Sequence, residues 1–293
     1  MPAHPDLLVT PDWLQPRLGR PGLAILECTA TLQPQPVGAS RYVSGRPAFE
    51  RDHIPGARHV DMRDEMSDPA GRYPYTLPTP AQLEARLAAL GIGADDHIVL
   101  YARGNVMAAT RIWYVLHALG ARRLSLLDGG YERWVAEGRP VWRAGDVAGT
   151  DAAPGTPFSA RLAADRVADL ARVRASLDDP ATCRVNALSA EQFAGTGGAH
   201  YGRPGRIPGS VSVPARELLD ARTGCFLDRE TLRARMAQAG ALDAPHVIVY
   251  CGGGIAATVD AFVLELLGHP DWAVYDNSLL EWSARPEMPM ELG

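Results

Sequence analysis

Along the chain, short unbroken apolar runs alternate with longer stretches in which apolar residues recur at helical spacing. The segment "HVIVYCGGGIAATVDAFVLELLG" (246–268) shows both patterns in succession. Val247 to Tyr250 form an apolar run rich in β-branched residues, which predicts a strand buried on both faces, as strands of parallel sheets are. From Ile255 to Leu267 the apolar spacing becomes helical, and Gly268 supplies a C-terminal stop. Strand, tight loop and helix therefore follow one another, with Cys251 at the carboxyl end of the strand, where open α/β sheets bind ligands.

The same pattern occurs twice. "DDHIVLYARGNVMAATRIWYVLHALG" (95–120) parallels "DAPHVIVYCGGGIAATVDAFVLELLG" (243–268), matching Tyr101 with Tyr250 and placing Ala102 where Cys251 stands. "HIPGARHVD" (53–61) parallels "RIPGSVSVP" (206–214), and "LLDGGYERW" (126–134) parallels "AVYDNSLLEW" (273–282), aligned on Asp128 with Asp276 and Trp134 with Trp282. Upstream, "AILECTA" (24–30) sits opposite "RVNALSA" (184–190), both read as strands leading into loops. Landmarks repeated in one order indicate a duplicated unit. Each half alternates strands with helices, the signature of α/β units whose mostly parallel sheets carry helices on both faces. The division expected is a first domain over 1–143, a Gly, Ala, Pro and Thr-rich linker over 144–160, and a second domain over 161–293. "TPDWLQPRL" (10–18) predicts a helix with Thr10 as N-cap and Pro11 at its first position, and "AADRVADLARVRASL" (163–177) is read as the matching helix.

Between strand and helix, Gly252, Gly253 and Gly254 remove every β-carbon from the turn, so successive N–H groups can converge on one point, aided by the positive end of the helix dipole. Such a ring of donors suits an anion, and a thiol placed there is favoured as its thiolate. Cys251 is accordingly the candidate nucleophile, with the N–H groups from Gly252 through Ile255 to Ala256 as its cradle. Cys28, Cys183 and Cys225 precede no glycine-rich turn and are read as inert. Trp134 and Trp282 recur at equivalent places, which points to core packing.

Composition narrows the chemistry further. The 293 residues suffice for two domains and 46% are hydrophobic, while the formal charge of −5 leaves no electrostatic footprint for nucleic acid. No apolar stretch of transmembrane length and no secretory signal are expected, so no membrane partner, and a cytoplasmic setting is the default. The four cysteines form no C-x-x-C pair and the eight histidines no helical H-x-x-x-H pair, so neither a disulfide framework nor a metal site is expected. All 29 basic residues are arginine, which excludes a Schiff-base or P-loop lysine. A Cys-dependent phosphatase would need an arginine six residues after its cysteine, and position 257 is Ala257.

The ordered set of "HIPGA"-type loop, "VIVYC" strand, glycine-rich cysteine loop and "LLDGGYERW" segment resembles the tandem rhodanese family of sulfurtransferases over nearly the whole chain. The resemblance implies two rhodanese-like domains, the first silent and the second carrying the nucleophile. It further implies no cofactor, a small anionic sulfur donor, and a thiol or cyanide acceptor, linked by a persulfide on Cys251. "CGGGIA" is most similar to the loop of 3-mercaptopyruvate-type members and lacks the basic residues that follow the cysteine in many thiosulfate-type members. Three positions depart from the family pattern: Leu188 where a donor-binding arginine is usual, Arg206 in place of the second "HIPG" histidine, and Gly253 in place of a serine. Arg203 and Arg206 are the candidates to supply the missing charge, and His53 is read as tethering its loop. The competing expectation is a persulfide carrier or a degenerate module that binds a partner protein.

Overall fold

A computed structural model describes residues 7–33, 35, 40–143, 146, 155–198 and 201–293. In the first half the sheet strands are β1 (Leu8–Val9), β2 (Leu23–Glu27), β3 (Ala57–His59), β4 (His97–Tyr101) and β5 (Leu124–Leu127). In the second they are β6 (Val167–Ala168), β7 (Thr182–Asn186), β8 (Val211–Ser212), β9 (His246–Tyr250) and β10 (Trp272–Tyr275). The sheet orders are β1-β5-β4-β2-β3 and β6-β10-β9-β7-β8, so the two halves share one topology. Every pairing within these sheets is parallel, and Glu27 lies opposite Tyr101 as Asn186 lies opposite Tyr250. Both central strands, β4 and β9, are buried along nearly their whole length, which is why they read as continuous apolar runs.

The helices repeat likewise. α1 (Pro11–Leu14), α2 (Arg46–Arg51), α3 (Pro80–Ala89), α4 (Met107–Ala118) and α5 (Gly130–Ala136) are matched in order by α6 (Leu170–Ala175), α7 (Ala190–Ala194), α8 (Arg229–Gln238), α9 (Ala257–Leu267) and α10 (Ser278–Trp282). Thr10 caps α1 by accepting from the Trp13 N–H at 3.2 Å, with Pro11 at the first position, and Gly268 closes α9 at φ 82°, both as expected. The single helix expected over 163–177 is corrected. Val167 and Ala168 instead form β6 against Val274 and Tyr275, and Asp169 then caps the short α6. Edge pairing with β10 outweighs the helical periodicity there. Of the expected linker, residues 144–145 and 147–154 lie outside the described residues. Its end is laid on the first half, where the Ala94 N–H donates to the Thr156 carbonyl at 2.8 Å and Ala160 N–H to Glu84 Oε1 at 2.8 Å.

The halves pack through α4 and α9, whose threonines Thr110 and Thr258 meet hydroxyl to hydroxyl at 2.8 Å, equivalent residues facing each other as a pseudo-twofold requires. Trp113 stacks on Trp272 with centroids 5.8 Å apart and meets Phe262 edge-on at 5.1 Å, so the buried core is continuous between the halves. Trp134 and Trp282 are fully buried and donate to the Pro140 and Pro289 carbonyls at 2.7 and 2.8 Å, confirming their packing role. Among the described residues no helix is long and apolar enough to cross a membrane.

Two buried ionisable groups on these helices act against stability. Asp260 of α9 is fully buried and neither carboxyl oxygen has a hydrogen-bond partner among the described residues; burial alone pushes its pKa well above the carboxylate range. In the repeat its counterpart is Ile112. A raised folded pKa means that the penalty grows as pH rises above the ordinary carboxyl range. We expect Asp260→Val to raise the unfolding free energy by about 1–3 kcal/mol at pH 7, with a smaller gain at pH 4, measured by urea denaturation. His117 of α4 is held at about 4 instead of 6.5, chiefly by burial among Trp113 and Trp272 and against the pull of Glu265. The unfolded chain then takes up a proton that the folded one refuses. Stability should fall relative to His117→Phe as pH drops from about 6.5 to about 4, a difference read from denaturation midpoints across that window.

Candidate active site

The strand carrying Cys251 is anchored first. At the end of β9, the Tyr250 hydroxyl accepts from the Ile207 N–H at 3.1 Å and donates to Ser210 Oγ at 2.8 Å, tying the "RIPGS" loop beneath the strand. In the first half the Tyr101 hydroxyl accepts from the Ile54 N–H at 3.2 Å. The repeated "IPG" loops thus receive the repeated tyrosines, and His53 is held locally, its Nδ1 2.9 Å from the Phe49 carbonyl.

Beyond Tyr250, four carbonyls of the loop are tethered. Cys251 O accepts from the Leu279 N–H at 3.1 Å, Gly252 O from the Leu280 N–H at 2.9 Å, and Gly254 O from an Arg111 guanidinium nitrogen at 2.9 Å. Ile255 O accepts from Thr258, whose N–H lies at 3.0 Å. In a planar trans peptide the N–H of the next residue points away from the carbonyl. Fixing these carbonyls therefore turns the N–H groups of Gly252, Gly253, Ile255 and Ala256 to the opposite side. Among the described residues, no N–H from Gly252 to Ala256 finds a protein acceptor.

The first half supplies the contrast. Around Ala102, the Arg103 N–H donates to Thr29 Oγ1 at 2.9 Å, the Gly104 N–H to Glu132 Oε1 at 3.0 Å, and the Met107 N–H to Asn105 Oδ1 at 2.9 Å. That loop consumes its own donors. The second leaves them open beside a thiol.

Each glycine has a steric reason. A Cβ on Gly252 would lie 2.0 Å from the Tyr201 ring, and one on Gly254, at φ +77°, would lie 2.0 Å from the Asp276 carbonyl oxygen. On Gly253 it would press on Leu280 at 3.0 Å. Accordingly Gly253, Ile255 and Ala256 line the cavity above Cys251, whereas Gly252 is covered by the Tyr201 ring and Gly254 by the Asp276 carbonyl. Cys251 itself is 2% exposed at the floor. The cavity, about 560 Å³, opens between the halves and is walled by Tyr75, Met107, Leu188, Gln192, Tyr201 and Arg216 among others.

Four residues that sequence reasoning missed build this site. Ser278 accepts the Cys251 N–H at 3.0 Å and donates to the Tyr275 carbonyl at 2.8 Å. It does so at φ +49°; its counterpart in the repeat is Gly130, at φ +55°. Ser278 and Tyr75 are the non-glycine residues with positive φ among the described ones, and both belong to this site, where such backbone strain concentrates. Arg111, fully buried in α4, reaches across from the first half: it binds Gly254 O, the Tyr75 carbonyl, and Asp276 Oδ1 at 2.7 Å. The Leu77 N–H adds a bond to Asp276 Oδ2 at 2.9 Å, mirrored by the Phe226 N–H on Asp128 Oδ1 at 3.0 Å. Arg111 itself has no mirror, because Val259 occupies its place in α9. Finally, Tyr201 lies over Gly252 with its phenol pushed up to about 12, by burial first and then by the charge of Cys251. "YDNS" carried a signal for Asp276 and Ser278; nothing local marks Arg111 or Tyr201.

Arg203 and Arg206 are corrected as donor-binding candidates. Arg203 spends its nitrogens on the carbonyls of Ser283 at 3.0 Å, Arg285 at 2.7 Å and Met288 at 2.8 Å. Arg206 pairs with Glu291 and donates to the Gly293 carbonyl at 2.5 Å. Neither lines the cavity. Both strap down the C-terminal segment, a long-range path that no local pattern reveals.

A thiol at the strand-to-helix turn of one half, and an alanine at the same turn of the other, define a duplicated α/β protein with a single cysteine-centred site. The rhodanese-like domain model matches residues 10–137 and again 187–285. The probable 3-mercaptopyruvate sulfurtransferase of Pseudomonas aeruginosa is 32% identical, covering 98% of this chain and 98% of its own length. The thiosulfate/3-mercaptopyruvate sulfurtransferase 1 of Arabidopsis thaliana, described as mitochondrial, is 30% identical, covering 97% of this chain and 78% of its own length. Among solved structures, SseA of Escherichia coli, described as a 3-mercaptopyruvate sulfotransferase, superposes with a TM-score of 0.79 at 26% identity, covering 93% of this chain and 98% of that one. The chain belongs to the rhodanese family and carries two rhodanese-like domains.

The Arg111–Asp276 pair should be the contact on which the cradle depends. Arg111→Met leaves the Asp276 carboxylate without its cation and frees Gly254 O, which predicts a loss of about 3–5 kcal/mol in stability. Arg111→Lys, keeping one charge but not the fork, should fold better and still alkylate Cys251 more slowly than wild type, checked by urea denaturation and iodoacetamide kinetics together.

Proposed function

We propose that this chain is a sulfurtransferase that moves sulfane sulfur from a small anionic donor to a thiophilic acceptor through a persulfide on Cys251. The observation that carries the reading is the set of free N–H groups from Gly252 to Ala256 around a thiol at the floor of a cavity, set against the self-satisfied loop of the silent domain. The relatives' names support the activity. The reading includes a silent domain over 1–143, a joining segment over 144–160, and a catalytic domain over 161–293.

With 3-mercaptopyruvate as donor, the Cys251 thiolate attacks the donor sulfur. The S–S bond forms as the C–S bond breaks, its electron pair passing to carbon as the enolate of pyruvate, which then takes up a proton. The outer sulfur of the persulfide holds negative charge after losing its own proton, and the open N–H groups stabilise that charge as an oxyanion hole stabilises oxygen. Cyanide then attacks the outer sulfur, the S–S bond breaks, and thiocyanate leaves with the thiolate restored; a thiol acceptor departs as its persulfide. Tyr201, kept as a phenol, shares the wall of the cavity with Cys251.

Intact mass after incubation with 3-mercaptopyruvate should rise by one sulfur on wild type and not on Cys251→Ser, and 3-mercaptopyruvate should exceed thiosulfate in kcat/KM because no basic side chain follows the cysteine. Absence of the added sulfur with every donor tried would favour the alternative of a partner-binding module.

A further inference from the structure

The cavity above Cys251 poses a problem of charge. With Arg203 and Arg206 turned to the C-terminal segment and Leu188 forming part of the wall, the lining contains one arginine among the described residues, Arg216. We propose that Arg216 is the specificity-determining residue that binds the anionic head group of the sulfur donor; this deepens the sulfurtransferase reading and rests on it.

Three observations support the assignment. Arg216 belongs to a 3₁₀ turn, Ala215–Leu218, that is fixed against the end of β7: the Ala215 N–H donates to the Ala187 carbonyl and the Val213 N–H to the Asn186 carbonyl, both at 3.0 Å. The turn therefore presents its side chain beside Leu188. Second, Arg216 is exposed and has no ion-pair or hydrogen-bond partner for its guanidinium among the described residues. Third, nearby carboxylates are engaged elsewhere. Glu217 pairs with Arg235 at 2.9 Å, and Glu191 bonds its own N–H and the Ser189 hydroxyl in the first turn of α7. An unpaired guanidinium on the wall of a water-accessible cavity is suited to a carboxylate.

Its position also sets a length requirement. Cys251 lies at the floor and Arg216 at the exposed rim, where it also borders the cavity beside Ala102. A donor that reaches both must separate its sulfur from its anionic group by a short chain, as a 3-sulfanyl-2-oxo carboxylate does. In thiosulfate the anionic oxygens sit on the atom bonded directly to the transferred sulfur. The same arginine then favours the spaced donor over the compact one.

Two kinds of measurement test this. 3-Bromopyruvate and bromoacetone react alike, the thiolate displacing bromide from a carbon beside a ketone, yet only the first carries a carboxylate, spaced from the attacked carbon by the carbonyl. In Arg216→Ala the bromopyruvate-to-bromoacetone rate ratio at Cys251, read by peptide mass, should fall about tenfold, the worth of one charge-assisted hydrogen bond. The bromoacetone rate should hold, and Arg216→Lys should recover part of the ratio. For 3-mercaptopyruvate, Arg216→Ala should raise KM with little change in kcat, while thiosulfate turnover changes little. An unchanged ratio and unchanged KM in Arg216→Ala, with wild type turning over 3-mercaptopyruvate, would overturn the assignment. If no donor loads sulfur on wild type but the alkylation ratio still depends on Arg216, the anion site stands and the sulfurtransfer reading falls.

Discussion

The site depends on the outward tethering of the carbonyls between Cys251 and Ile255. A peptide plane cannot turn its C=O without turning the next N–H, so the cradle is built from behind. Leu279 and Leu280 hold two carbonyls through the start of α10, Thr258 holds another through the first turn of α9, and Arg111 holds Gly254 from the other domain. The glycines then serve two ends. They expose N–H groups and allow the Tyr201 ring, itself part of the cavity wall, and the Asp276 carbonyl to approach at distances no β-carbon permits.

That construction explains why, of the two described loops, one leaves its N–H groups open and the other does not. The shared frame survives in both halves: the strand order, the tyrosine under each "IPG" loop, the crossed bonds of Leu77 with Asp276 and Phe226 with Asp128. Divergence lies in the donors. Thr29, Glu132 and Asn105 fill the N–H groups of the first loop, and Arg111 has only Val259 as its counterpart, so the first domain supports a site it does not itself possess.

Local features were legible in the sequence where they are set by local forces. The β9 strand, the glycine loop, the cap at Gly268 and the internal repeat all follow from residue type and spacing. Leu188 was recognised as a lost cation, and the structure places it in the cavity wall. What could not be read were long-range partners. Arg203 and Arg206 resembled free cations because nothing near them in the chain shows that residues 283–293 return to take up their nitrogens. Arg111 and Tyr201 resembled ordinary helix and loop residues for the same reason. Val167 and Ala168 adopted a strand in a helical pattern because an edge of β10 was available to pair with them.

The stacking of Trp113 on Trp272 gives the first half a further significance. Excising it would strip a wide aromatic face and leave the Asp276 carboxylate facing solvent without its guanidinium, so the thiol-bearing half is a poor candidate for independent existence. A half with an alanine where its twin has a thiol thereby serves as scaffolding, held in place by what its neighbour would otherwise expose.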